Sequence, residues 1–184
     1  MPSIFGEIRD FGEKFIVVSR VSSENRKYIP MGFFDKNSIV SDTCMAIPNG
    51  TLYNFGVLMS EMHMTWVKYV CGRLKSDFRY SKDIVYNNYP WPDNPTEKQI
   101  AIIEEKAQKV LDIRAQFPES SLADLYDPRT MPAELVKGHQ ELDKAVDLAY
   151  RPQPFPNEAK RMEFLFDLYE KYVGELFVKK SKRK

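Results

Sequence analysis

Three prolines, Pro90, Pro92 and Pro95, interrupt the chain near its middle. Each removes a backbone donor and holds the residue before it away from helical geometry, so neither a strand ladder nor a helix runs through this stretch. They place a boundary near residue 93, and the hydrophobic period differs on its two sides. On the N-terminal side, Lys14 to Ile47 alternates short apolar runs with turn residues: Phe15-Ile16-Val17-Val18, Tyr28-Ile29, Ser38-Ile39-Val40 and Cys44-Met45-Ala46-Ile47. Runs of this length between Gly, Pro, Asn and Asp predict a small, mostly antiparallel sheet, ended by Pro48-Asn49-Gly50. From Thr51 to Val70 the period lengthens. Leu52, Phe55, Met59, Met62, Trp66 and Val70 recur at spacings of three and four, which predicts one buried helix with Gly72 as its stop. Ile84-Val85-Tyr86 reads as another strand.

Beyond the prolines, Asn94-Pro95-Thr96-Glu97 supplies a helix start: a capping side chain, proline at the first helical position and a glutamate three after the cap. Ile100, Ile103, Ala107, Val110, Leu111 and Phe117 form its buried stripe. Leu135, Leu142, Val146 and Ala149 mark a second helix from Pro132 to Tyr150, and Met162, Leu165, Phe166, Tyr169, Val173 and Leu176 a third from Asn157 to about Phe177. The expected fold is α+β: a small sheet with one buried helix over 1–93, a helical bundle over 94–178 and a basic tail over 179–184. At 184 residues the chain is long enough to bury a core of its own.

No stretch approaches the roughly 18 apolar residues of a membrane span, and the N-terminus lacks the basic-then-apolar order of a signal peptide. The expected location is the cytoplasm, with no membrane partner. Cys44 and Cys71 are too few for a disulfide framework and have no metal-ligand spacing, so both read as small buried apolar residues. The net charge is only +1, but its distribution matters more than its total. Between Met62 and Lys82, the cations Lys68, Arg73, Lys75, Arg79 and Lys82 face the single anion Asp77, whereas Asn94 to Phe177 is acidic.

Catalytic constellations are not found. Tyr86-Asn87-Asn88-Tyr89-Pro90-Trp91-Pro92 has the residue types of an adenine-methylating loop in the wrong order, and reads instead as a rigid aromatic corner packing the linker onto the sheet. The glycines are scattered singly, with none after a strand and opening a helix as a cofactor loop requires. Glu104-Glu105-Lys106 and Glu158-Ala159-Lys160 share a nuclease spacing but fall within helical patterns. His63 and His139 have no nearby nucleophile and read as structural.

One segment asks for another explanation. Arg73-Leu74-Lys75-Ser76-Asp77-Phe78-Arg79-Tyr80-Ser81 sets charges of both signs at alternate positions among aromatics. In extended backbone Lys75, Asp77 and Arg79 would project from one side. Lysine and arginine donate to guanine or phosphates, and aspartate accepts from the cytosine amine, so Lys75 and Asp77 would bracket a G·C pair. The residues alone leave a second reading open, a solvated edge strand whose alternating charge blocks aggregation. Ser22, Ser23, Arg26 and Lys27 lie in a polar turn suited to phosphates, or to plain solvent exposure. Ser41, Asp42 and Thr43 form another turn that would reach base edges. Arg73 and Lys82 flank the segment as sequence-independent attraction.

Four motifs resemble, in order, the target-recognition region of the MmeI-like family: Arg20 to Pro30, Met59 to Val67, Gly72 to Ser81 and Tyr86 to Pro92. Gln116-Phe117-Pro118, Ala123 to Pro128 and Met131 to Leu135 resemble that family's helical C-terminal part, so the likeness covers almost the whole chain. Members join a nuclease, an S-adenosylmethionine-dependent adenine-N6 methyltransferase and a DNA specificity region in one polypeptide. The resemblance implies a C-terminal piece, consistent with Met1-Pro2-Ser3 not reading as a natural domain edge. It implies double-stranded DNA and an upstream methyltransferase region as partners, and S-adenosylmethionine as a cofactor held elsewhere. It also implies that Lys75 and Asp77 select one base pair while Arg79 reads a neighbour. Two other readings stand beside it, a helical protein-interaction module and a separate specificity subunit.

Overall fold

The structure, a computed structural model, describes residues 11–181, with side chains through residue 174. Met1-Pro2-Ser3, the Leu176 side chain and residues 182–184 lie outside the described set. Among the described residues, six strands form two antiparallel sheets of three. In the first, β1 (Lys14–Ser19) lies between β3 (Met31–Asp35) and β4 (Cys44–Pro48), with Ile16 opposite both Phe33 and Ile47. In the second, β6 (Asp77–Arg79) lies between β2 (Val21–Ser22) and β5 (Gly72–Leu74). Between β4 and β5 come α1 (Leu52–Leu58) and α2 (Glu61–Val70). A π-helical turn at Lys82–Tyr86 follows β6. The remainder is α3 (Glu97–Ala115), the short α4 (Leu122–Leu125), α5 (Ala133–Tyr150) and α6 (Glu158–Ser181).

The expected α+β architecture is present, with several local corrections. The helix expected from Thr51 to Val70 is broken at Met59-Ser60, because the Ser60 hydroxyl accepts from the His63 N–H at 3.3 Å and starts a new helix. Gly72 is not a left-handed stop; α2 ends on extended Cys71 and Gly72 opens β5 directly. Tyr28-Ile29 is buried but irregular, and the strand missed by the pattern is β3, which begins just after Pro30. Ser38-Ile39-Val40 is a loop with Ile39 exposed, since the Asp35 carboxylate accepts from the Asn37 N–H and turns the chain. Ile84-Val85-Tyr86 lies in the π-turn, where the Trp66 indole N–H donates to the Val85 carbonyl at 3.1 Å.

The helical half shows similar shifts of detail. Thr96 rather than Asn94 caps α3, in a reciprocal pair with Gln99. Phe117 lies past the end of that helix and Phe166 is exposed on α6. Helix α6 continues through Ser181, beyond the expected start of a tail at Lys179. Both cysteines are half-buried rather than buried. The aromatic corner packs onto helices, not onto the sheet. The Tyr150 hydroxyl lies 2.7 Å from that of Tyr89 and 2.9 Å from the Pro90 carbonyl, and Tyr172 donates to the Trp91 carbonyl.

One core runs through both halves. Helix α1 meets α3 at Gly56, where an added Cβ would stand 2.7 Å from Ile103 Cγ2 and 3.2 Å from the Ala107 Cβ. Gly56→Ala is therefore expected to lose about 1–3 kcal/mol through overpacking, read as a lower urea midpoint at unchanged slope. A polar network bridges the same halves. Arg114, only 8% exposed, donates from Nη1 to the Met31 carbonyl at 2.7 Å and from Nε to the Tyr126 hydroxyl at 2.8 Å. With its oxygen accepting from Arg114, the Tyr126 hydroxyl donates its hydrogen bond to His139 Nε2, 2.7 Å away. His63 repeats the arrangement: Nδ1 donates to the Leu58 carbonyl at 2.8 Å and Nε2 accepts from the Tyr80 hydroxyl at 3.1 Å. Burial lowers both histidines, His63 to about 4, and His139 to about 3 with Arg114 adding to the effect. Both are neutral acceptors in the core.

Candidate nucleic-acid interface

Strands β5 and β6 form a hairpin in which Leu74 pairs with Asp77, leaving Lys75-Ser76 as a two-residue loop. Tight loops of this kind need positive φ, and Lys75 supplies it at φ 56°. The three charged residues therefore do not follow one another along a single extended strand, because the turn falls between Lys75 and Asp77. Asp77 and Arg79 flank Phe78, which is 2% exposed, so strand alternation sends those two outward together while Lys75 stands at the tip. Lys75 and Arg79 are exposed. Asp77 is half-buried because its carboxylate accepts from the Glu24 N–H at 3.3 Å.

Left-handed backbone costs a residue with a Cβ about 1–2 kcal/mol that glycine does not lose. Lys75→Gly is accordingly expected to leave the fold intact and raise its stability by about 1 kcal/mol, checked by urea unfolding.

Other members of the expected set are placed differently. Arg73 lies over the Phe78 ring, 4.2 Å from its centroid, donates to the Ser76 carbonyl at 2.9 Å and approaches the Glu24 carboxylate at 4.0 Å. It braces the hairpin across its loop. Ser22 is not in a polar turn: it belongs to β2, pairs with Phe78 and is 2% exposed, so its hydroxyl cannot meet a phosphate in this arrangement. Ser23 and Arg26 are half-buried and Lys27 exposed, in the turn that follows. Lys82 is exposed and opens the π-turn. Lys68 leaves the basic stripe, being ion-paired with Glu158 of α6 at 2.5 Å.

Thr43 is exposed in the 41–43 turn, its hydroxyl 3.0 Å from that of Ser41. Arg20, between β1 and β2, ties this turn to the hairpin. Its N–H donates to the Thr43 carbonyl, its carbonyl accepts from the Tyr80 N–H, and its Nε donates to the Asp42 carbonyl at 2.9 Å. It is exposed, and sequence reasoning did not single it out. The only local signal is a lone cation at the junction of two strands. The resulting surface offers cationic donors and a carboxylate acceptor from three neighbouring turns, the groups that read base edges and phosphates.

Among the described residues, no group of three or more His, Cys, Asp or Glu side chains is arranged to hold a metal ion. No helix among them is long and apolar enough to cross a membrane.

Comparison with known proteins brings both halves together. Residues 1–93 match the family described as MmeI, target recognition domain, and residues 95–177 match MmeI, C-terminal domain. DNA methyltransferase A of Bacillus subtilis (strain 168) is 46% identical over 155 residues, which is 84% of this chain and 17% of that protein. The solved structure of the Type IIL restriction-modification enzyme MmeI in complex with DNA superposes with a TM-score of 0.84 at 46% identity, over 88% of this chain and 21% of that one. The chain thus spans about a fifth of the length of these relatives. It belongs to the MmeI family, and carries that family's target recognition and C-terminal domains in order.

Proposed function

We propose that this chain is the DNA-reading portion of an S-adenosylmethionine-dependent adenine-N6 DNA methyltransferase of the restriction-modification type, working in the cytoplasm. Residues 1–93 read the duplex, residues 94–178 brace them, and catalysis belongs to the upstream methyltransferase region. The observation that carries this reading is the hairpin: within the stretch matching a target recognition domain, an exposed lysine occupies a left-handed turn position beside outward-facing Asp77 and Arg79. Keeping a lysine where glycine is easier favours a role for its ammonium.

Lys75 donates to guanine O6 and N7, Asp77 accepts from the paired cytosine N4, and Arg79 reaches the neighbouring pair. Thr43 supports the base edge, while Ser23, Arg26, Lys27 and Lys82 meet phosphates. Arg73 acts through the hairpin it braces. Holding the duplex in register delivers the target base to the active site, which is the share of catalysis this portion contributes. S-adenosylmethionine is held by the upstream methyltransferase region.

The test replaces Lys75 and Asp77 by a different charge pair in the complete enzyme, followed by modified-base sequencing of DNA from the expressing cells. The methylated motif should change at a single base pair. An unchanged motif at full methylation would show that the hairpin does not read bases, and would leave the protein-interaction reading.

A further inference from the structure

A cleft of about 580 Å³ runs along the seam between the two halves, lined by Ser23, Asn25 and Arg26 on one side and by Asp127, Pro128 and Arg129 on the other. Its first wall is the turn whose Glu24 N–H holds Asp77, so it adjoins the reading hairpin directly. Its second wall belongs to the acidic helical half, where overall charge argues against contact with DNA.

The local chemistry differs from that overall balance. Asp127 is paired with the Arg129 guanidinium, and its carboxyl is held below the usual carboxylate range first by the Arg129 hydrogen bonds, with the charge of Arg26 contributing least. Arg129 lies alongside Asp127 with Nε 3.3 Å and Nη2 3.4 Å from the two carboxylate oxygens. That arrangement uses one edge of a planar five-donor group and turns the rest outward, on a side chain that is 88% exposed. The turn itself is pinned. The Arg129 N–H donates to the Asp127 carboxylate at 2.9 Å, and the Thr130 and Met131 N–H groups donate to the Asp127 carbonyl. Across the cleft, Arg26 is tied to the Ala123 carbonyl at 3.4 Å and the Ser23 hydroxyl accepts from the Asn25 N–H. Hydroxyl, amide and guanidinium groups on fixed turns are what a phosphodiester strand requires, since they neutralise charge and position the duplex without reading sequence.

We infer that this cleft seats the sugar-phosphate backbone of the bound DNA, with Arg129 as a phosphate-contacting residue supplied by the C-terminal half and Asp127 as the residue that positions it. The inference rests on the DNA-reading assignment above and extends the contact surface across the seam.

The measurement is equilibrium binding of the complete enzyme, over a salt series, to a duplex containing the methylated motif and to one lacking it. Arg129→Ala should weaken both by about 3- to 10-fold and reduce the slope of log K against log salt by about 0.9, with the methylated motif unchanged. Lys160→Ala makes the same change in net charge on exposed α6 and should leave the slope as it was. A slope unaltered by Arg129→Ala, or one altered equally by Lys160→Ala, overturns the assignment. So does a loss confined to the duplex with the motif, because that would make Arg129 a base reader. Should exchange of Lys75 and Asp77 retarget methylation while Arg129→Ala changes nothing, the cleft assignment alone falls. Should neither exchange nor truncation matter, the DNA-reading assignment itself falls.

Discussion

Replacing Arg114 with alanine is expected to cost about 3–5 kcal/mol, a large part of the roughly 5–15 kcal/mol that holds a domain folded. The guanidinium lies beneath the first sheet and joins β3 to α3 and α4 through the Met31 carbonyl and the Tyr126 hydroxyl. It also lies over the rings of Phe55 and Tyr126, at 5.2 and 4.8 Å from their centroids. Truncation strips a buried carbonyl and a buried hydroxyl of their donor, and each such loss carries the full desolvation penalty. The cavity left by the stem adds to it. Arg114→Lys should rescue little, because one ammonium lacks the fork that spans both acceptors. Urea unfolding of the three proteins side by side would decide it, and an alanine variant within 1 kcal/mol of the parent would show that the network contributes nothing.

Stability should also fall as the solution is acidified below pH 6.5. His63 and His139 have ordinary values near 6.5 when unfolded and about 4 and about 3 when folded. Lowered folded values mean that the unfolded chain takes up protons the native chain refuses, so the stabilisation present above 6.5 is lost as pH falls towards 4 and 3. Asp143 acts in the opposite direction. Burial raises it to about 6 from 3.8, so the native chain protonates first and gains stability between those values. Asp147, raised by burial, acts in the same sense as Asp143. Two histidine protons against at least one carboxyl leave a slope of no more than about 1.4 kcal/mol per pH unit between 6 and 4. Asp143→Asn removes the opposing group and should steepen that slope by about one proton. Urea midpoints from pH 7 to 4.5 supply the comparison, and a flat profile in both proteins would refute the neutral-acceptor roles of the histidines.

The periodic parts of this molecule were legible in the residues. The stripes through Ile103, Ala107 and Val110 and through Leu135, Leu142 and Val146 are fully buried, because amphipathic spacing reports directly on which face meets a core. The break at Met59-Ser60 was hidden because the apolar stripe continues on both sides of it, and only the Ser60 cap distinguishes two helices from one. Strand β3 was missed because Met31-Gly32-Phe33-Phe34-Asp35 holds no β-branched residue and includes a glycine, whereas Tyr28 carried a strand-like residue type into a position set by its bond to Asp143. At the candidate site, the alternation around Phe78 was legible and the turn was not, since Lys75-Ser76 lacks the Asn-Gly, Asp-Gly or Gly-first pair that usually announces a two-residue hairpin loop. Lys68 and Ser22 were misassigned through contacts distant in sequence, with Glu158 and Phe78, that no local pattern encodes.

The close approach of α1 to α3 at Gly56 bears on whether the two halves can be exchanged between relatives. Cutting the gene at the proline-rich stretch and joining halves from different relatives would require two foreign helix surfaces to interlock where there is no room for a single extra methyl group. Substitutions at the hairpin tip, by contrast, leave this seam untouched and need no such match between foreign surfaces.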